Sequence, residues 1–539
     1  MAMSASITFE FRSTGTANMV NGGGFKTGAS GTDYSTQDAA QWTQTDLTCA
    51  AAATNIVSAA STFTAAAVGN VIHLTALTGT GALVGWYEIT AYVDANTLTL
   101  DRTPTDGTNA ITAGTFYIGG ALNVGGSLED DFFEEISGAN AADGITVYFY
   151  NNNSTSTITF TPSEAISITG AGGTLAPIKI IGYKTTRGDN PTGNSRPSIA
   201  LGANFLLFGT NYESYNLMFT GTGSSMIQMG INNKAVNCKS TNLSTTADRN
   251  AFLGGTDVQL INCEGISYRG RAYASTVIYV IACYFHDSNI GINSTATAGA
   301  IIILNSIIVD NVTSAIAIAV NTNAVQIMGN TLYGSENTTG TGVSLAAGAT
   351  DTTIINNIIY GFVTGVSHGT AGQTIGYDDY NNYYNNDADV SNWTKGSNDQ
   401  AVNPTFTSVA QVTGTTGTYA GTTLTDAGKF GSVVAGQDYI YIISGTGMTA
   451  GIYGISSATA DTVVTDLDAG ENVAGDVVYQ ITIGRNFAVG TNLKALGFPG
   501  AFQAGLSTGY MDIGAVQRQE SAGGGGLLVH SGMTGGMRG

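Results

Sequence analysis

Seven apolar segments in the middle of the chain repeat the same order of strand, asparagine, strand: ESYNLMFTG, KAVNCKS, VQLINCEG, VIYVIACYF, AIIILNSIIVDN, VQIMGNTLYGS and TTIINNIIYGF. Aligned on the asparagine or its equivalent, they mark Asn216, Asn237, Asn262, Ala282, Asn305, Asn330 and Asn357, with spacings of 21, 25, 20, 23, 25 and 27 residues. This period is too short for a helix pair, and the leucine and asparagine pattern of leucine-rich repeats is missing. It fits one coil of a parallel β-helix, in which short strands alternate with turns. Each coil adds one strand spacing of about 4.8 Å, so the segments predict a rod.

Asparagine suits the sharp turn between two such strands because it tolerates the left-handed conformation and can bond its counterpart in the next coil. An asparagine ladder is therefore expected. The following position reads Leu217, Cys238, Cys263, Cys283, Ser306, Thr331 and Ile358, so three of the four cysteines should stack as small buried hydrophobes. Upstream, ITVYFY (145–150), ISITG (166–170) and IKIIGY (178–183) carry the same β-branched and aromatic enrichment and place the start of the coils near Gly144. An open β-helix end exposes unpaired strand edges. SLEDDFFEEISG supplies a short capping helix, with Ser127 as N-cap, Glu129, Asp130 and Asp131 in the first turn, Leu128, Phe132, Phe133 and Ile136 on one side and Gly138 as terminator.

Composition agrees with an all-β chain: 73 glycines, only 10% charged residues, and a palette of Thr, Ser, Asn, Ile, Val and Tyr. With 18 basic against 38 acidic residues the formal charge is −20, which disfavours nucleic acid and anionic membranes as partners. No stretch of 18 apolar residues occurs, the N-terminus has no apolar signal core, and no cysteine or histidine spacing predicts a metal or cofactor.

Residues 61–120 and 430–484 are two copies of a small β module. Each has a Gly-x-Tyr-x-Ile strand (Gly85, Tyr87, Ile89; Gly451, Tyr453, Ile455), a Thr-led strand ending in Asp (Thr97 to Asp101; Thr462 to Asp466), and a closing aromatic strand carrying Tyr117 or Tyr479. The pattern predicts five- or six-stranded minibarrels. NPTFTS (403–408) and NFAVGTNLKALGFPG (486–500) read as two halves of one terminal coil that the second module interrupts. The expected organisation is an N-terminal strand and linker region (1–60), module copy 1 (61–120), the helical cap (121–143), a right-handed parallel β-helix (144–408), inserted module copy 2 (409–484), a terminal coil (485–519) and a tail (520–539).

The order of these features, from NGGGFKTGASGTDYSTQDAAQ through the Asn-marked coils to DYNNYYNN (379–386) and YMDIGAVQ (510–517), resembles that of right-handed β-helix proteins, pectate-lyase-like in fold, of tailed-bacteriophage virions and bacterial surfaces. The resemblance covers most of the chain. It implies the fold and a virion setting, with assembly in the host cytoplasm and release by lysis. It implies no particular activity, because this fold hosts lyases, hydrolases, adhesins and inert spikes.

A lyase site would need clustered acids and a basic proton acceptor. Asp287 and Asp310, each five places after a marker, can stack but read as polar turns; Glu264, Arg269 and Arg271 read as a solvated ion-paired loop. A glycosidase would need two carboxyls at a set separation. Asp378 and Asp379 are strand neighbours facing opposite ways, and read as a turn beside Tyr380. His73, His286, His368 and His530 form no triad, and Tyr377, Tyr380, Tyr383 and Tyr384 read as packing over the end of the coils. The chain is thus expected to be no enzyme, with no catalytic, cofactor or metal residues. It reads as a noncatalytic virion spike, fibre or decoration protein on capsid, neck or tail, homotrimeric by resemblance. The alternative is a tailspike depolymerase or a receptor-binding protein for host surface glycan. After the linker Gly523 to Gly526, the apolar residues Leu527, Leu528, Val529, Met533 and Met537 are expected to anchor the chain to another virion subunit or a neighbouring copy.

Overall fold

The computed structural model describes residues 6–516 apart from 17–18, 125–131, 134–135, 137–143, 153, 155–156, 164, 172–176, 295–298, 319–323, 335–339, 350, 371–375, 495 and 498–511. The cap residues Ser127, Leu128, Glu129, Asp130, Asp131 and Gly138, together with His530 and the anchoring residues Leu527, Leu528, Val529, Met533 and Met537, lie outside the described residues. The chain forms two compact units, residues 1–239 and 240–539, and both carry coils of a parallel β-helix.

In the first unit, one wall of the coils is the parallel run Ile7–Thr16, Thr146–Tyr150, Ile178–Tyr183, Tyr212–Tyr215 and Lys234–Val236. The coils therefore do not begin near Gly144: the N-terminal strand is already part of this wall. Gly24–Lys26 pairs antiparallel with that first strand. Phe132, Phe133 and Ile136 are helical and buried, and the Phe132 ring meets Phe9 edge-on at 4.9 Å, so apolar packing closes this end.

The first β module is a seven-stranded sheet ordered Trp42–Gln44, Ala113–Ile118, Val71–Thr78, Gly85–Asp94, Thr97–Leu100, Asn55–Val57, Thr48–Cys49. Three of these strands precede residue 61, in the stretch read from sequence as linker. The second module is a closed six-stranded barrel of Ser408–Ala420, Thr423–Thr425, Thr462–Thr465, Gly451–Ala458, Tyr439–Ser444 and Asn472–Asn486. Their shared plan shows in detail. Tyr87 is buried and donates to the carbonyl of Leu83 at 2.8 Å, and Tyr453 does the same to Thr449 at 2.8 Å. The next amide in each, Glu88 or Gly454, donates to Asp101 or Asp466 at 3.0 Å.

In the second unit the strands Val258–Ile261, Ile278–Ile281, Ala300–Leu304, Ala324–Met328, Thr352–Ile355 and Gly376–Asp379 stack in parallel register. Their inward column is Leu260, Val280, Ile303, Ile327 and Ile354, every one fully buried. Each strand ends at a left-handed residue: Asn262, Ala282, Asn305, Gly329, Asn356 and Tyr380, with φ between +50° and +66°. From the fourth of these coils the sequence alignment was one residue late, because Gly329 and Asn356 make the turn. Asn330 and Asn357 stand instead in the column of Cys263, Cys283 and Ser306. There they form the asparagine ladder: the Asn330 amide donates to Asn357 Oδ1 at 2.9 Å, and the Asn357 amide to Asn381 Oδ1 at 2.9 Å. In the first unit Asn237 donates to Asn216 at 2.7 Å. All four cysteines are buried, with Cys283 Sγ 3.4 Å from the Cys263 amide.

Among the described residues, the segments around 404–409 and 486–493, read from the sequence as two halves of one terminal coil, are not strands of the coil ladder. They bond to each other (Thr407 amide to Ala488, Gly490 amide to Pro404, both 2.9 Å) and place Phe406, Phe487, Val489 and Leu493 against Tyr333, Ile358 and Tyr360. Because Ile359, the interior neighbour, is buried among the coils, these are outward positions of the strand that the strap covers.

Candidate active site

The structure brings together some of the charged residues singled out in the sequence and separates others. Asp287 and Asp310 are both left-handed and sit at equivalent points of neighbouring coils, between the paired residues His286, Val309, Ser288 and Asn311. Arg485, from the last strand of the barrel, reaches Asp287 Oδ2 at 2.7 Å and lies 3.7 Å from Asp310 Oδ2. His286 joins them, with Nδ1 2.5 Å from Asp287 and Nε2 3.2 Å from Glu264. Burial alone would raise the Asp287 carboxyl, but Arg485 and His286 outweigh it and hold it below the ordinary value. Asp310 is pushed up to about 7, first by burial and then by Asp287. Arg269 and Arg271 leave this group: Arg269 donates to Tyr453 of the barrel at 2.9 Å, and Arg271 pairs with Asp248 at 2.6 Å. The cluster is covered by the barrel, with Ile452 packed on Ile266 and Tyr268 beside it, so it fastens the module to the coils.

A second carboxyl group reaches solvent only through its part-exposed member, Asp399. The inward column that runs from Leu260 to Ile354 ends in Asp378, one strand further on. Its Oδ2 accepts from Tyr383 Oη and Trp393 Nε1, each at 2.7 Å, and its Oδ1 accepts from Asn381 Nδ2 at 2.9 Å. Asp399, brought in by the following loop, lies against Asp378. It accepts from the Asn381 and Gly396 amides, each at 2.8 Å, and remains part-exposed. Burial, then the hydrogen bond and charge of Asp378, push the Asp399 carboxyl up to about 8. The Asp399 carboxyl thus holds its proton at neutral pH.

The neighbour Asp379 does turn the other way, as expected of a strand. It accepts from the Asn398 amide at 2.8 Å and the Asn398 side chain at 2.9 Å, and these bonds outweigh burial and hold it below the ordinary value. Asp379 therefore ties the loop down while Asp378 faces Asp399. The tyrosines read as packing divide: Tyr383 is buried and bonded to Asp378, Tyr384 lies tilted against Tyr360 at 5.9 Å, Tyr380 makes the left-handed turn, and Tyr377 is 48% exposed. Around the pair, Lys395 lies 5.2 Å over the Tyr383 ring and bonds Asp389 at 2.7 Å, and His368 faces Trp393 at 6.2 Å. His73 lies elsewhere, stacked on Trp86 at 3.8 Å and lowered to about 4 by burial.

Asp399 was missed in the sequence because it lies in a polar segment with no strand periodicity. The only signal was its composition, SNWTKGSNDQ, a tryptophan among loop residues. The arrangement offers a carboxylic acid that keeps its proton at neutral pH, beside exposed aromatic surface. Among the described residues, no group of three or more His, Cys, Asp and Glu is placed to hold a metal ion.

No family model matches the chain, and no curated protein matches it in sequence. Among solved structures the chain is similar to the Gp54 tailspike of Acinetobacter baumannii bacteriophage AP22 in complex with A. baumannii capsular saccharide, at 9% identity over 82% of this chain and 83% of that one (TM-score 0.22). It is also similar to the tailspike protein gp49 from Pseudomonas phage LKA1, at 13% identity over 83% and 82% (TM-score 0.18). A third is the catalytic domain of a GH87 α-1,3-glucanase in complex with nigerose, at 12% identity over 65% and 86% (TM-score 0.18). What the chain shares with them is the β-helical fold. The expectation that the chain is no enzyme does not stand: a β-helix hosts enzymes as well as inert spikes, and one of these similar structures is named a catalytic domain.

Proposed function

We propose that the chain is a tailspike component of a bacteriophage virion that binds and hydrolyses a host surface polysaccharide. The observation that carries this reading is the Asp378–Asp399 pair, in which Asp399 is pushed up to about 8 and part-exposed while Asp378 is filled by three donors. Cleaving a glycosidic bond requires an acid that still holds its proton at the working pH and can pass it to the departing oxygen. Asp399 is that acid. Two carboxyls in hydrogen-bond contact are closer than the about 5 Å or more that separates an acid from its opposing carboxylate, so Asp378 is a positioning residue that keeps the proton on Asp399. Asp389, the other part-exposed carboxylate of the group, held by Lys395, is assigned to the attacking water. Tyr377 and Trp393 offer ring faces on which sugars stack.

The test is release of reducing ends from purified host capsular polysaccharide. The reading expects release by the wild-type chain and its loss in Asp399→Asn. No release from any host glycan, or equal release by the variant, would overturn it.

A further inference from the structure

The outward side of the parallel wall in the first unit has a composition unlike the rest of the chain. Strand alternation sends Val147, Phe149, Ile178 and Ile180 inward, where they are buried, and leaves the residues between them part-exposed. Register then aligns those residues in rows across the strands. One row is Thr146, Lys179, Glu213 and Lys234; the next is Tyr148, Ile181, Tyr215 and Val236. Two guanidinium groups flank the rows, Arg12 at 4.5 Å over the Tyr150 ring and Arg187 at 4.8 Å over the Tyr148 ring.

Both guanidinium groups are fixed from beneath by one carboxylate. Glu10 is fully buried and accepts from Arg12 Nε at 3.1 Å and Arg187 Nη2 at 2.8 Å, with Tyr183 Oη as a further donor. Arg12, Arg187 and Lys179 keep 21%, 25% and 43% of their side chains exposed. The acids that face them are the buried Glu10, Glu213, which lies 4.0 Å from Lys179 and accepts from Tyr215, and Asp33, 3.5 Å from Arg187. Solvent therefore meets more cation than anion here, in a chain whose acids outnumber its bases 38 to 18.

We infer that this face binds an acidic polysaccharide, laid across the strands with its rings on the tyrosines and its carboxylates on Arg12, Arg187, Lys179 and Lys234. The strand spacing of about 4.8 Å brings a new side chain of each row into place over roughly the length of one extended sugar residue. Preset guanidinium forks recognise carboxylates with little further ordering, and charge complementarity selects an acidic chain over a neutral one. The inference rests on the reading of the chain as a glycan-binding protein and is independent of the Asp378–Asp399 pair.

The experiment is titration calorimetry of the full chain with polygalacturonate and, separately, with neutral dextran. Wild type should bind the acidic polymer and not dextran, and Lys179→Gln/Lys234→Gln should weaken that binding about tenfold or more. Lys429→Gln, a charge change in the second unit, should leave it unchanged. The milder Tyr148→Phe/Tyr215→Phe pair should retain binding, since it keeps the ring faces. Equal binding of the two polymers, no binding of the acidic one, an unaffected double lysine variant, or an equal loss in Lys429→Gln would each overturn the inference. Asp399→Asn should bind like wild type, so a chain that binds but never cleaves refutes only the catalytic reading, and one that cleaves without binding polygalacturonate refutes only this one.

Discussion

Replacing Asp310 by asparagine should make the second unit more stable at alkaline than at acidic pH relative to wild type. Asp310 sits beneath the barrel, its Oδ1 accepting from Thr482 at 2.9 Å and its Oδ2 without a hydrogen-bond partner among the described residues. The carboxyl rises from 3.8 to about 7 on folding, through burial and then the charge of Asp287. A raised carboxyl favours the folded state only while it is protonated, so its burden on stability begins above the unfolded value near 4 and is complete above about 7. About two units of that interval lie between pH 5 and pH 8, which at about 1.4 kcal/mol per unit gives about 3 kcal/mol as the ceiling. The Asp310→Asn side chain cannot ionise and keeps the contact with Thr482. Asp287, held low by Arg485, exerts its own effect only below pH 4, outside the interval. Urea unfolding at pH 5 and pH 8 measures the difference between variant and wild type. The difference should grow by about 1–3 kcal/mol in favour of the variant at pH 8. A difference that stays constant, or grows in the opposite sense, would refute the argument.

Asp399→Asn should reduce hydrolysis by a factor of about 10² to 10⁴ without lowering the melting temperature, and wild-type kcat/KM should fall as pH rises past about 8, where the acid loses its proton. Asn357→Ala removes the acceptor of the Asn330 amide and the donor to the Ile327 carbonyl, which should cost about 2–5 kcal/mol in urea unfolding. Glu10→Ala leaves Arg12 and Arg187 without their shared buried carboxylate. It should cost about 3–5 kcal/mol, seen as a lower melting temperature, whereas Arg12→Lys should cost far less.

The coils were legible because a parallel β-helix writes its geometry into the sequence at a fixed period: apolar strand, left-handed turn, apolar strand. The turn residue was harder to fix than the strands. At Asn356–Asn357 two asparagines compete for one turn, and at Gly329–Asn330 glycine takes the turn at no steric cost and frees the asparagine for the ladder. Residue type alone cannot rank these, since the left-handed conformation and the ladder both suit asparagine. Thr48–Cys49 and Asn55–Val57 were lost for a different reason: strands of two or three residues have no alternation to read. The candidate site was half legible. Asp378 was singled out with Asp379 but read as a turn beside Tyr380, because its partner comes from a loop whose path is set by Asp379, Asn398 and Asn381, and no local pattern encodes that meeting.

In the proposed reaction Asp399 delivers a proton to a glycosidic oxygen. The most direct measurement is a crystal structure of Asp399→Asn soaked with an oligosaccharide of the host polysaccharide. A sugar chain should lie across Tyr377 and Trp393 with one glycosidic oxygen about 2.6–3.2 Å from the residue-399 side chain. A sugar chain bound with no glycosidic oxygen near residue 399 would contradict it.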